Sequence, residues 1–488
     1  MIQTETLMTF GVYLIFLLAV GWYFYKRTAS LEGYILGGRG LGSWVTALSA
    51  QASDMSGWLL MGLPGAVYLG GMNEAWIAIG LFIGTALNWI FVSARLRVYT
   101  QKTDTLTLSS FFENRFRDPT SLLRVGSSLI ILIFFTIYSS SGLVAAGKLF
   151  ESMFQIDYMT AVIAGSIVIV AYTFLGGFMA VCWTDFFQGG LMFFAIILVP
   201  CLGYSAVGGT SSIEAEMAAR NIATSLFQNG AGQSLSILAI LSTMAWGLGY
   251  FGQPHILTRF MGISSAKELP KATAIALVWV VISLCGAVII GLISIPMFSG
   301  LHGGEQEKVF IYMIAKLFNP WVGGVLLAAI LSAIMSTIDS QLLVSSSALT
   351  EDFYKKILRR DASEKELMLV GRLCVLVISI IAMSMALNPN NTVLGLVSYA
   401  WGGFGAAFGP VVLFSLFSRK TTWLSALSGM IVGTLVLVFW KDAGLGAQMY
   451  EIVPGFIANG LTIFCINIIS PQKDEEILRE FDGIKSEL

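Results

Sequence analysis

Three carboxylates stand inside long apolar runs of this chain: Asp54, Asp185 and Asp339. A charge at the middle of a bilayer costs at least ~2.5–3.5 kcal/mol on insertion scales, so each marks a place where chemistry is expected. Asp54 belongs to Ala52-Ser53-Asp54-Met55-Ser56-Gly57, a run of small and polar residues ending in glycine. Such a run unwinds a helix, and the carbonyls it frees can coordinate a cation. The plainer alternative is a carboxylate that caps backbone N–H groups at the break, and the two roles are compatible. Ser336-Thr337-Ile338-Asp339-Ser340 is a second polar cluster. Hydroxyls in membrane helices usually bond back to their own backbone, but depth alters that reading. Asp54 lies roughly 18 Å above the inner end of its run near Gly42, and Ser336 roughly 24 Å below the outer end of its run near Pro320, in a membrane of about 40–45 Å with headgroups. The clusters therefore fall at one level. Neutral oxygens with few fixed charges suit a monovalent cation that binds and leaves, whereas a divalent ion would require more carboxylates.

A second interrupted run spans Trp246-Gly247-Leu248-Gly249-Tyr250-Phe251-Gly252-Gln253-Pro254-His255. Each glycine costs a helix about 1 kcal/mol, and the proline removes a backbone donor. Aromatic rings beside such a break suit an apolar ring or a cationic amine, and equally suit packing against lipid. Gly247, Gly249 and Gly252 also match GxGxxG, but inside a membrane run with no preceding strand. Residues 142–148 match most of a P-loop, but Leu149 stands where a Ser or Thr would bind metal. No nucleotide partner is supported. Two histidines, His255 and His302, without HExxH or GxSxG, leave intramembrane hydrolysis unsupported too.

These residues need helices to carry them through lipid. Only 12% of the 488 residues are charged and 56% are hydrophobic, against about 25% charged in soluble chains. An all-α polytopic membrane protein is implied, and a cytosolic enzyme is excluded. A net charge of -1 and the lack of a basic stripe exclude nucleic acid as a partner. Runs of roughly 20 apolar residues predict 13 transmembrane helices, near 7–26, 43–70, 73–95, 121–150, 157–178, 180–207, 233–257, 270–298, 320–348, 367–388, 392–417, 421–440 and 448–470. The first has an acidic start and is followed by Lys26 and Arg27, the reverse of a cleavable signal, so it stays as a span. Placing the N-terminus outside leaves only Lys148, Arg220, Lys308, Lys316 and Lys441 of the 28 basic residues on the outer side. The five cysteines lack CxxC spacing and read as buried thiols.

Among the connections, 208–232 reads as a flexible outer link around a short helix near 213–226. Residues 305–318 read as a lid-like amphipathic helix at the interface, 351–366 as a basic inner loop that anchors orientation, and 471–488 as a cytoplasmic tail, a short solvated helix or disordered. The pairs Gly80/Gly84 and Gly429/Gly433 read as helix-packing notches. The interrupted spans are the second and the seventh, the offset expected of two five-helix repeats of opposite orientation.

The segments LSAQASDMSGWLLMGLPGAVYLGG (48–71), GGFMAVCWTDFFQ (176–188), WGLGYFGQPHI (246–256), AAILSAIMSTIDSQLLVSSSALTEDFYK (328–355) and VLGLVSYAWGGFGAAFGPVVLFSL (393–416) resemble the bacterial sodium/proline symporters of the solute:sodium symporter family. The likeness extends over nearly the whole chain and weakens at 208–232 and in the tail. It implies a single transporter domain, 1–488, with a LeuT-like core of inverted repeats at 43–207 and 233–417, one extra helix before it at 7–26 and two after it at 421–470. It implies one sodium ion, co-transported rather than kept as a cofactor, held by Ala52, Met55, Ala333, Ser336 and Thr337 with Asp54 close by. Ser56 and Gly57 would link the ion to L-proline, which would lie against Trp58, Tyr138, Trp246 and Tyr250. Asp185 and Arg39 resemble residues of a cytoplasmic ion route, and the role of Asp339 stays open. The function implied is secondary active uptake by alternating access at the bacterial inner membrane, with no enzyme activity. A sodium-coupled carrier of another amino acid or of pantothenate is the near alternative. A channel or solute sensor is the distant one, since helices broken at mid-depth argue against an open pore.

Overall fold

The computed structural model describes residues 4–26, 30–173 and 177–485. Arg27, counted above with the inner basic residues, and Gly176, the first residue of the second matching segment, lie outside the described residues. The described residues form helices and no strand, only isolated bridges between extended residues. Among them, ten helices are long and apolar enough to cross a membrane: Thr4–Phe24, Met72–Lys102, Leu122–Phe154, Phe178–Ala206, Ala266–Met297, Pro320–Leu358, Glu364–Ala386, Val393–Phe417, Trp423–Asp442 and Ile452–Ile469. The chain is a multi-pass membrane protein. The other three expected spans fall on the shorter helix Tyr158–Thr173 and on the two interrupted runs. Outward-facing residues are apolar, with Val12, Ile167, Val377, Phe439 and Ile468 each more than half exposed, as lipid permits and water would not. Inside, small residues such as Ala47, Ala50, Ala52, Ser53, Ser332 and Ser336 are wholly buried and let helices approach closely.

The first broken span comprises Ser43–Asp54 and Trp58–Gly70. At Met55 the backbone leaves helical geometry, with φ -81° and ψ 71°. The Ser56 N–H donates to the Asp54 carbonyl at 2.9 Å and the Trp58 N–H to Ser56 Oγ at 3.3 Å. The polar residues of the run thus pair backbone groups that the helix abandons. The second broken span is Ile237–Gly252, which tightens into a 3-10 turn over Ala245–Gly252, passes through an extended Gln253 and resumes as Pro254–Gly262. Proline at a first helical position costs nothing, because its missing N–H would have had no partner there.

Leu41 bridges to Ile263, and Gly71 to Ala223. The start of the first broken span therefore meets the end of the second, while its own end meets the link leading into the second. The two run antiparallel. The Gly80/Gly84 notch receives the second of them: a Cβ at Gly80 would lie 2.2 Å from the Met244 carbonyl oxygen, and one at Gly84 2.2 Å from that of Gly247. Gly429 and Gly433 approach Asn459 and Gly455 in the same manner.

Several connections depart from expectation. The link 208–232 carries its helix at Thr210–Ala219, and it is tied down by the Met72 N–H on the Ala223 carbonyl (2.8 Å) and by Trp76 Nε1 on the Leu226 carbonyl (2.7 Å). The lid helix Val309–Leu317 turns its apolar face into the protein, with Val309, Phe310, Met313 and Ile314 wholly buried, so it plugs a gap between spans. Residues 351–358 continue the helix Pro320–Leu358, because Glu351 and Asp352 both pair with Arg124. The tail forms the helix Glu475–Lys485, docked through buried Ile477 and Ile484 and through Arg117–Glu476 and Arg419–Asp482 pairs. Of the thiols, Cys182 is buried, whereas Cys201, Cys285 and Cys465 are exposed.

Candidate functional site

The two polar clusters meet. Ser336 Oγ donates to the Ala52 carbonyl at 2.7 Å, and Thr337 Oγ1 reaches the same oxygen at 3.4 Å. Both hydroxyls also reach the Ala333 carbonyl, at 3.3 and 3.2 Å. Oxygens of Ala52, Ala333, Ser336 and Thr337 thus gather beside the break at Met55, and none of these five residues is more than 2% exposed. A hydroxyl can turn its hydrogen away and offer lone pairs, so this group can present several neutral oxygens to one small cation.

Asp54 stands beside that group. Its Oδ2 accepts from the Tyr250 hydroxyl at 2.6 Å and its backbone carbonyl from Trp58 Nε1 at 3.0 Å, while Oδ1 has no hydrogen-bond partner. The pairing joins the two broken spans at their midpoints. Trp58, Tyr138 and Tyr250 are almost wholly buried around it. The Tyr138 hydroxyl faces Ser56 and Trp58 without making a hydrogen bond of its own. Trp246 lines a cavity of about 650 Å³ whose walls include Leu69, Glu74, Glu307, Lys441 and Tyr450, and its ring lies 5.4 Å from that of Tyr450. Ser56, Gly57, Trp58, Tyr138 and Tyr250 are thus brought together around Asp54, and Trp246 is reached from the cavity.

Toward the Ser43 end of the first broken span, Ser49 Oγ donates to Asp185 Oδ2 at 2.7 Å. Arg259 pairs with the same carboxylate oxygen at 3.1 Å and also donates to Ser49 Oγ (3.1 Å), to the His255 carbonyl (3.0 Å) and to Ser340 Oγ (2.5 Å). Arg259 and Asp185 are both wholly buried. Asp339, next to Ser340 and equally buried, makes no hydrogen bond of ordinary geometry. Tyr13 of the N-terminal helix accepts from Gln188 Nε2 (2.9 Å) and Ser332 Oγ (2.8 Å). Arg39 lies apart from all of these. It donates to the carbonyls of Met261 (3.0 Å), Thr100 (2.9 Å) and Thr105 (2.9 Å), a tie between helix ends; being a cation, it cannot ligate one.

Arg259 escaped the sequence reading, because the seventh run was closed at 257. The available signal was charge balance, since buried carboxylates call for a nearby cation. A second missed pair is Lys148 with Glu307 at 2.6 Å, both buried; Glu307 also accepts the Val393 and Leu394 N–H groups at 2.9 and 3.0 Å, capping the helix Val393–Phe417.

A helical membrane bundle whose two antiparallel broken spans meet at a buried group of oxygens is the architecture of a secondary transporter. Residues 34–433 match the model of the Sodium:solute symporter family. The high-affinity proline transporter PutP of Bacillus subtilis (strain 168) is 50% identical over 469 residues, which cover 96% of this chain and 98% of that protein. A sodium/proline symporter of Escherichia coli (strain K12) is 49% identical over 488 residues, covering 98% and 96%. In fold, the chain is similar to a Na+-coupled sialic acid symporter solved in a substrate-bound outward-open state, with a TM-score of 0.80 at 20% identity, over 97% of this chain and 100% of that one. The chain belongs to the Sodium:solute symporter family.

Proposed function

We propose that this chain carries L-proline into the cell together with sodium by alternating access. In this reading it has thirteen spans: one helix, then a core of two inverted five-helix repeats, then two more helices. The N-terminus lies outside and the tail in the cytoplasm of a bacterial inner membrane. Relatives named for sodium and proline, at about half identity over nearly their full length, support the solute and the ion. The antiparallel broken spans support the inverted repeats. The observation that carries the reading is the Ser336 hydroxyl resting on the Ala52 carbonyl at the break.

Sodium is cargo here. The carbonyls of Ala52, Met55 and Ala333 and the hydroxyls of Ser336 and Thr337 take it up, the hydroxyl hydrogens turning away from the Ala52 oxygen as it arrives. The ion then fastens the first broken span to the helix Pro320–Leu358. Asp54 supplies charge from just outside the cage, and its Tyr250 bond draws the second broken span to the same point. Ser56 and Gly57, the next residues along, complete a pocket in which Trp58, Tyr138, Trp246 and Tyr250 enclose the apolar ring of proline. Trp246, at the cavity, is where solute enters. Asp185 and Asp339, with Arg259 as counter-charge, line the way inward, and Arg39 ties the inner helix ends shut until release. One charge crossing ~100 mV supplies ~2.3 kcal/mol and a tenfold sodium gradient ~1.4 more, enough for about 500-fold accumulation at 1:1 coupling.

Binding to the purified protein tests this reading. Radiolabelled proline is expected to bind in sodium but not in potassium, to be displaced by unlabelled proline and not by pantothenate, and to bind more weakly to Trp246→Ala and Tyr250→Ala. Equal binding in both salts would remove the coupling, and the absence of any proline binding that unlabelled proline displaces would remove the solute.

A further inference from the structure

The helix Val393–Phe417 contains the run Trp401-Gly402-Gly403-Phe404-Gly405, which belongs to neither broken span and takes no part in the ion cage. Trp401 is 1% exposed. Its indole Nε1 donates to the Trp246 carbonyl at 2.7 Å. Its ring meets that of Tyr250 edge to face, with centroids 5.0 Å apart and planes at 85°. Its backbone carbonyl accepts from Gln253 Nε2 at 3.3 Å. One residue therefore grips three positions of the unwound stretch.

That stretch needs such a grip. Ala245–Gly252 is a 3-10 turn that ends in an extended residue; its i→i+3 hydrogen bonds have poorer geometry than those of an α-helix, and a buried carbonyl there gains from a second donor on its other lone pair. The indole lies directly on the backbone: a Cβ at Gly249 would stand 1.9 Å from Trp401 Nε1. Gly252 comes equally close from the same side, where a Cβ would stand 2.2 Å from the Phe404 carbonyl oxygen. From here the contacts run on to the ion cage. Tyr250 holds Asp54 Oδ2 at 2.6 Å, and two residues before Asp54 the Ala52 carbonyl accepts from Ser336.

We propose that Trp401 is a positioning residue for both proline and sodium. It fixes the unwound stretch where Trp246 and Tyr250 face the solute and where Tyr250 reaches Asp54, an inference that rests on the site proposed above. Trp401 touches neither cargo and acts through those two aromatic residues. A helix outside both broken spans thereby sets how tightly ion and solute are held.

Uptake kinetics in proteoliposomes test this. Trp401→Phe keeps a ring against Tyr250 but deletes the N–H donor. It is expected to raise the half-saturating proline concentration roughly tenfold and the half-saturating sodium concentration in parallel, with the maximal rate changed less than about twofold. In a Tyr250→Phe background, where the Asp54 bond is already gone, Trp401→Phe should add little to the sodium requirement. Gly249→Ala displaces the same indole from the opposite side and should give the same two shifts, so the test survives if Trp401→Phe cannot be purified. Unchanged proline and sodium requirements in these variants, or sodium effects that multiply independently with Tyr250→Phe, would overturn the positioning role while leaving the site standing. If Trp246→Ala and Tyr250→Phe themselves change neither requirement, the site is misassigned and the positioning role falls with it.

Discussion

Asp54 divides its two oxygens unequally: Tyr250 occupies one and nothing occupies the other. A buried carboxylate with an open oxygen next to four gathered neutral oxygens is a strong inducement for a cation. Asp54→Asn keeps the shape and removes the charge, so the sodium concentration for half-maximal proline uptake should rise by roughly tenfold or more, and Ser336→Ala should raise it severalfold by removing one ligand. Unchanged sodium dependence in both variants would remove the cage from this place. The Arg259–Asp185 pair makes a different prediction. Arg259→Gln strands a buried carboxylate and should cost about 3–5 kcal/mol of stability; adding Asp185→Asn should restore much of it, as read by the melting temperature of the purified protein. Equal or greater loss in the double variant would show that the pair does not act as one. The cluster at Asp54 and the one at Ser336 were legible because their residue types are costly in lipid and the helix rise puts them at one depth. Arg259 was not, because a helix that restarts after a break no longer obeys depth counted from the end of an apolar run. Trp401 was not either, since an aromatic residue in a membrane helix has packing as its ordinary explanation.

Both broken spans were readable as elements from glycine, proline and small polar residues in apolar runs. Their partners were not: Gly80 and Gly84 announced a notch, but only the fold shows that the second broken span fills it. The tail helix Glu475–Lys485 has an apolar face that sequence cannot assign to water, lipid or protein, and packing settles it as protein. The plug helix Val309–Leu317 and the turn before it show how local charge holds an element. Lys308 binds Glu305 at 2.7 Å and Glu151 at 2.8 Å. Burial pushes the Glu305 carboxyl up, but hydrogen bonds from Lys308 and Tyr312 and the charges of Lys308 and Lys148 outweigh it and hold the group below its ordinary 4.5. Burial pushes the Lys308 ammonium down, but Glu151 and Glu305 hold it above its ordinary 10.5. The depressed carboxyl stabilises the folded state above pH 4.5 and loses that contribution as pH falls through its lowered value, while the raised ammonium contributes below pH 10.5 and loses it as pH rises further. The stability difference between the natural protein and Glu305→Gln should therefore be constant from about pH 6 to 9 and shrink toward zero below about pH 4. It should also be small, because the Glu305 side chain is 47% exposed and screened by water. A difference that grew on acidification would contradict this assignment of charge.

At the scale of the whole molecule, lipid-facing apolar helices surround a core of small and polar residues, and the two helices that break do so where they touch. Such a body can close over its cargo from either side, because the breaks let half of a helix move while its other half stays packed. A channel has no need of that, and counterflow separates the two: a carrier exchanges labelled external proline for unlabelled internal proline with no net driving force, whereas an open pore only equilibrates. The multi-pass character was legible from 12% charge, 56% hydrophobic residues and long apolar runs, whereas the cavity of about 650 Å³ leading to Trp246 was not, because it lies between elements far apart in the chain. The most direct measurement is uptake of labelled proline into proteoliposomes holding the purified chain, with an inward sodium gradient and an interior-negative potential. Sodium coupling predicts transient accumulation far above the external concentration, abolished when potassium replaces external sodium or when an ionophore collapses the gradient. Uptake that merely equilibrates, or that proceeds equally in potassium, would contradict it.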